Sequence, residues 1–234
     1  IRNRAGKGGA LFSSSSNLKI KSSSFTSNAA IYGGATYHES LGFVILLNCI
    51  IRNNTAKVSA GGVHITPSSR SSRWTVHHFV CAGSYFIHNI AVNGGSIYVE
   101  NIKRRDFTRI HYCLIISSYF VKNWAVTGAT WFNYLISLNL INSSFILNRV
   151  QRNGAGCLIE KTVLAISGCF ISNNTAGING GGIHISEIMS ICIWYTVFQH
   201  NTALVMGGAV YCSVQKQIND VKFILGTGNV FMLN

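Results

Sequence analysis

The sequence predicts an all-β chain folded as a right-handed parallel β-helix, a solenoid of about eight coils. Three observations predict it. A unit of about 25 residues recurs from end to end. Several residue columns keep one register within that unit, and no segment carries the 3.6-residue period of an amphipathic helix.

The leading column is asparagine: Asn3, Asn28, Asn54, Asn89, Asn123, Asn148, Asn174, Asn201 and Asn234, spaced 25, 26, 35, 34, 25, 26, 27 and 33 residues apart. Three residues earlier stand Phe25, Phe86, Phe120, Phe145, Phe198 and Phe231, with Ile51 and Ile171 in the other copies. Five residues before the asparagine comes a small polar column, Ser23, Cys49, Ser84, Ser118, Ser143, Cys169, Thr196 and Asn229. Two residues after it the chain is almost always alanine. A glycine column follows at Gly9, Gly34, Gly61, Gly95, Gly128, Gly156, Gly181 and Gly208, then a small residue (Cys157 among them), then a strand former. Phe12, Tyr37, His64, Tyr98, Trp131, Ile159, His184 and Tyr211 complete the register.

Each column has a physical reason in a stack of coils. About 25 residues are enough for three short strands and three turns, and stacking pairs each strand with its copy about 4.8 Å away. Identical positions then form ladders. Phenylalanine and isoleucine fill the core, and asparagine amides bond one another along the axis and tolerate a left-handed turn. Glycine supplies positive φ or close approach at a corner. Parallel strands joined by crossovers are right-handed by default. The aromatic column alternates with Leu11, Val63, Ile97 and Ile183, so one of the two sets faces out. If the aromatic set does, it is a candidate strip for stacking on sugar rings.

The paired motifs Phe25-Thr26-Ser27-Asn28 with Gly33-Gly34-Ala35, and Phe198-Gln199-His200-Asn201 with Gly207-Gly208-Ala209-Val210-Tyr211, resemble the FxxN and GGA[I/L/V] repeats of the chlamydial polymorphic outer-membrane proteins. The resemblance runs along nearly the whole chain, with the first glycine of the pair replaced at Thr127-Gly128, Ala155-Gly156 and Ala60-Gly61. It implies a secreted passenger segment acting in surface display and adhesion, placed outside the cell or on its surface.

With 234 residues, 48% of them hydrophobic, the chain suffices for one domain with a continuous core, residues 1–234. No apolar run reaches the roughly 18 residues needed to span a bilayer. Lysine and arginine number 19 against six acids, a formal charge of +13. Such a surface favours an anionic glycan or an acidic protein surface as partner. Three repeats are longer by about eight residues, with insertions at 65–83, 99–117 and 212–228. The first two fall on consecutive coils and carry Arg70, Arg73, Lys103, Arg104, Arg105 and Arg109, interleaved with Trp74, Phe79, Phe107 and Tyr112. Basic residues mixed with aromatics suit phosphate or sulfate contacts with stacking, which makes these loops the candidate binding site.

Enzymatic chemistry has little to work with. Of the six acids, Glu39, Glu100, Asp106, Glu160, Glu187 and Asp220, only Glu160 and Glu187 fall on adjacent coils near one edge, so they are the sole candidate pair for a polysaccharide lyase or hydrolase. His64 and His184 share a column but lie three coils apart by the spacing, too far for one metal. No metal site and no cofactor is expected. The seven cysteines contain no CxxC pair and read as small core residues, with a Cys81–Cys113 disulfide across the insertions as the one alternative. Asn53, Asn142 and Asn173 open Asn-X-Ser/Thr triplets. The repeat is already running at Asn3 and still running at Asn234, so further coils or another protein chain are expected to stack on both ends. The expected function is a non-enzymatic structural or adhesive scaffold, with a structural subunit of a larger assembly and a polysaccharide-active enzyme as the alternatives.

Overall fold

A computed structural model describes residues 2–14, 17–40, 42–67, 77–100, 111–133, 137–187, 190–213 and 222–234. They form a parallel β-helix of four sheets with eight strands each, here called A to D in the order the chain meets them. The second coil shows the pattern: Ala29–Tyr32 in sheet A, Thr36–Ser40 in B, Phe43–Leu47 in C and Ile50–Arg52 in D. Every strand pairs in parallel with its copy one coil away. The three-strand expectation missed sheet D because its strands are only three residues long, as in Tyr85–Ile87 and Tyr119–Val121. They are the Phe-x-x-Asn motif itself, held between two corners.

The corners explain the polar columns. Between sheets C and D, Asn48, Ser117 and Asn142 hold φ of 54°, 45° and 46°, and the next residue turns its side chain inward. There Ser84 Oγ accepts the backbone N–H of Cys49 (3.0 Å) and donates to the Ala82 carbonyl (3.1 Å). Ser118 and Ser143 repeat the arrangement. Between D and A the left-handed residue is Asn53, His88 or Lys122, the one before the ladder asparagine and not the asparagine itself. The ladder asparagines from Asn28 to Asn201 are buried, and only the end members Asn3 and Asn234 are exposed. The Oδ1 of Asn123 accepts both the backbone N–H and the amide of Asn89 (3.0 and 3.1 Å). The Asn123 amide donates to Asn148 Oδ1 (3.1 Å) and to the Phe86 carbonyl (2.9 Å). The same bonds link Asn28, Asn54, Asn89, Asn148, Asn174 and Asn201 along the axis. An interior donor or acceptor costs about 1–3 kcal/mol when unpaired, so this ladder is what allows the chain to turn a buried corner.

The interior is built of stacked apolar columns, one from sheet D and two each from sheets B and C. Phe86, Phe120 and Phe145 stack with centroids 4.9 and 4.7 Å apart, and Phe198 stacks on Phe231 at 4.9 Å. Val44, Leu46, Ile115, Leu138, Leu140 and Ile166 line the inside of sheet C. Over the second to fourth coils the outside of sheet C is apolar as well. Two of its strands there read Phe43-Val-Ile-Leu-Leu47 and Tyr112-Cys-Leu-Ile-Ile116 with no break in hydrophobicity.

The glycine register needs one correction. In the sixth coil Gly154 holds the left-handed φ (71°), Leu158 pairs with Trp131 and His184, and Ile159 pairs with Phe132 and Ile185. Gly156, Cys157, Leu158 and Ile159 therefore each stand one place away from the expected column. Leu158, not Ile159, belongs with the aromatics, and Cys157 pairs with Ile183 as a strand residue. Gly128 (φ 56°) is likewise the left-handed residue of its coil, so of the three coils thought to lack that glycine only the Ala60 copy does, at φ 55°. Two glycine-alanine orders look alike in sequence, and the slip follows from that.

The cysteines are free thiols. Cys113 stands beside Phe79 while Cys81 stands beside Ile115, so the two are offset by two residues along their strands and form no disulfide. Burial pushes the Cys81 thiol up to about 12 and Cys169 to about 11, and raises Cys113 and Cys157 as well. Thiols of this kind stay protonated and unreactive.

Candidate functional site

Arg70, Arg73, Lys103, Arg104, Arg105 and Arg109 all lie outside the described residues, as do Trp74 and Phe107. The extra residues of the longer coils fall between the strands of sheets B and C, for example between Val63–Pro67 and His77–Ala82. Of the interleaved aromatics, Phe79 is interior, and Tyr112 is exposed with His78 stacked on it at 5.4 Å.

The structure brings together a different surface, the outer face of sheet B. The inward positions there are Thr36, Val63, Ile97, Cys157 and Ile183, which leaves the aromatic column outside the core. It is a ladder in its own right. Phe12 and Tyr37 stack at 5.9 Å and Tyr37 and His64 at 4.6 Å; Tyr98 lies tilted against His64 at 5.1 Å and meets the edge of Trp131 at 5.1 Å. His184 and Tyr211 continue it after Leu158. Tyr32 of sheet A packs edge-on against Tyr37 and His64, and Lys7 lies over the Tyr37 ring. The rings cover one another, so Tyr37 and His64 are 6% and 3% exposed although they face outward. A sugar-stacking platform needs open ring faces, and along most of this column the faces are already used.

Two residues beyond the rings runs a polar column: Ser14, Glu39, Thr66, Glu100, Asn133, Glu160, Ser186 and Ser213. Carboxylates take alternate strands, about 10 Å apart, with Thr66 and Asn133 between them. The spacing keeps like charges separated. Glu39 pairs with Lys7. Glu100 accepts from the Tyr98 hydroxyl (3.0 Å) and lies 3.8 Å from His64 Nε2, close enough for electrostatic attraction but too long for a hydrogen bond. The His64 imidazole, with Tyr98 and Thr66 behind it, holds the Glu100 carboxyl below its ordinary value against the opposing effect of burial. Glu160 accepts from Trp131 Nε1 (2.9 Å) and Ser186 Oγ (3.4 Å); burial raises its carboxyl even so.

Glu187 follows one residue after Ser186 and turns to Lys161 (3.1 Å). The Glu160–Glu187 pair expected from sequence is thus divided between two sets of partners. Glu39, Glu100, Glu160 and Glu187 are all the acids among the described residues, and all four stand on or beside this strip. The column was hidden by the one-place slip at Gly156. With Gly154 taken as the corner, Glu39, Glu100 and Glu160 share one offset from the ring column.

His64 and His184 are four strands apart in sheet B, one more than the three coils counted from sequence. Among the described residues no group of three histidine, cysteine or acidic side chains is arranged to hold a metal ion. No helix there is long and apolar enough to cross a membrane. Asn53, Asn142 and Asn173 are exposed, and each occupies a left-handed corner.

The family model of the Chlamydia polymorphic membrane protein (Chlamydia_PMP) repeat matches residues 195–213. The match runs from the Phe198–Asn201 corner through Gly207-Gly208 into the sheet B strand Val210–Ser213. Neither a curated protein nor a solved structure matches the chain. Residues 195–213 thus match this repeat, and the other coils, built on the same motifs and stacked in the same four parallel sheets, resemble it.

Proposed function

We propose that the chain is a non-enzymatic structural or adhesive scaffold of a surface or secreted protein, binding its partners through side loops or a sheet face. The observation that carries this reading is the continuity of the ladders. Asparagine, serine and phenylalanine columns run through coil after coil, so outward side chains are held in straight rows at strand spacing on all four sheets. A stack of this kind gives fixed, repeated positions to whatever it displays. The matched repeat, named for a membrane protein of Chlamydia, supports a surface setting.

Adhesion rests on the excess of basic residues, several of which stand in the loops between sheets B and C. Retention on immobilised heparin tests the partner class. The chain is expected to be retained, and a variant with Lys103→Ser, Arg104→Ser and Arg105→Ser to elute at clearly lower salt, since each phosphate or sulfate contact contributes to the salt slope. Equal elution of the two proteins would remove the loops from the proposal. Release of reducing sugar ends from a polysaccharide panel would overturn the non-enzymatic reading, and its loss in Glu160→Gln would assign the chemistry to the sheet B strip.

A further inference from the structure

We propose that the outer face of sheets C and D, over the second to fourth coils, docks on a lipid bilayer surface containing anionic lipid. The inference starts from sheet C, which over these three coils is apolar on both sides. Parallel strands that read as unbroken hydrophobic runs are normally covered on both faces. Here the inner face meets the core, and outward rows such as Ile45, Val80 and Leu114 stand in register on neighbouring strands. Sheet D continues the surface with Ile50, Tyr85 and Tyr119, 42%, 41% and 39% exposed, the two tyrosine rings stacked at 4.8 Å. A contiguous apolar surface of this kind marks an interaction site.

Charge selects the occupant. Among the described residues, sheets C and D contain no carboxylate, because all four stand along sheet B. The cations flank the apolar rows. Lys19 and Lys21 lie one coil before Ile45 and Leu47 in the same rows, Arg52 ends the sheet D strand beside Ile87, and Lys122 follows Tyr119–Val121 at the corner. The chain as a whole carries +13. A second copy would bring +13 against +13, whereas an anionic leaflet attracts each basic residue near its surface. Tyrosines at the centre of the face suit a boundary that is apolar on one side and wet on the other. The proposal does not depend on the adhesive reading, since it concerns a different face and a different partner.

Co-sedimentation of the chain with vesicles tests it, using phosphatidylcholine alone and phosphatidylcholine mixed with phosphatidylglycerol. Binding to the mixed vesicles and little to the neutral ones is expected. The double variant Leu114→Glu/Tyr119→Glu should bind about tenfold more weakly, a loss of about 1.4 kcal/mol. Thr175→Glu/Thr202→Glu, exposed on sheet A, should bind like the parent and controls for the two added charges. The circular dichroism β-signal of both variants checks that they fold. Equal weakening in both variants would make the attraction a property of total charge and overturn the proposal. Absence of binding would do the same. A solution dimer dissociated by Leu114→Glu/Tyr119→Glu would give the face to a second copy of the chain and overturn it as well.

Discussion

Ala60 and Gly61 show how much one methyl group decides at a corner of this stack. Ala60 holds φ 55°, the left-handed conformation that Gly33, Gly94 and Gly180 hold in other coils, and its side chain is fully buried. An L-residue there costs roughly 1–2 kcal/mol. Replacing it with glycine relieves that strain but loosens the unfolded chain and removes a buried methyl, losses of similar size. Ala60→Gly is therefore expected to change the unfolding free energy by less than about 1 kcal/mol. The next residue behaves otherwise. A Cβ on Gly61 would lie 2.5 Å from the Gly95 carbonyl oxygen and from the Ile90 nitrogen, backbone atoms of the adjacent coil. Gly61→Ala should wedge the coils apart and cost about 3 kcal/mol, read as a lower urea midpoint. The two kinds of glycine, one for φ and one for close approach, are adjacent and identical in sequence. That is why the columns were legible while Gly154-Ala155-Gly156 was read one place out, and why the Glu39–Glu100–Glu160 row went unseen.

At the scale of the element, the ladders were legible and the strands of sheet D were not. Asparagine at a fixed offset from phenylalanine is a long-range signal that survives insertions, and the bonds between Asn89, Asn123 and Asn148 are what it stands for. A strand of three residues between two left-handed corners leaves too little alternation to be recognised. Asn123→Ala tests the ladder directly. It removes the acceptor of two Asn89 donors and the donor to the Phe86 carbonyl, all in the interior. A loss of at least about 3 kcal/mol is expected from the stranded groups. Asn123→Asp should cost more at neutral pH, because it keeps the acceptor but deletes the amide donor and buries a charge. If Asn123→Ala unfolds at the same urea concentration as the parent, the ladder is decoration and the phenylalanine stack alone holds the corner.

For the whole molecule, the decisive feature is where protons can and cannot go. His38 lies inside sheet B, 1% exposed, with Nε2 3.1 Å from Thr36 Oγ1 and no partner for Nδ1. Burial, and secondarily the nearby His64, push its pKa down to about 4; burial does the same to His184, against the Asn179 backbone. An unfolded histidine titrates near 6.5. Between pH 6.5 and about 4 the unfolded chain therefore binds protons that the folded chain refuses, so stability falls as pH drops through that window and the loss is complete below it. For His38 the full effect is about 3 kcal/mol. Glu100 acts later, because a carboxyl held below its ordinary value contributes stability that is lost only as pH falls past the ordinary carboxylate range. Urea midpoints followed by tryptophan fluorescence should thus decline steadily from pH 6.5 to 4, and His38→Leu should flatten part of that decline. A parent curve that is level until the carboxylates protonate would mean that His38 reaches water in the folded chain, and that the interior of sheet B opens without the coils coming apart.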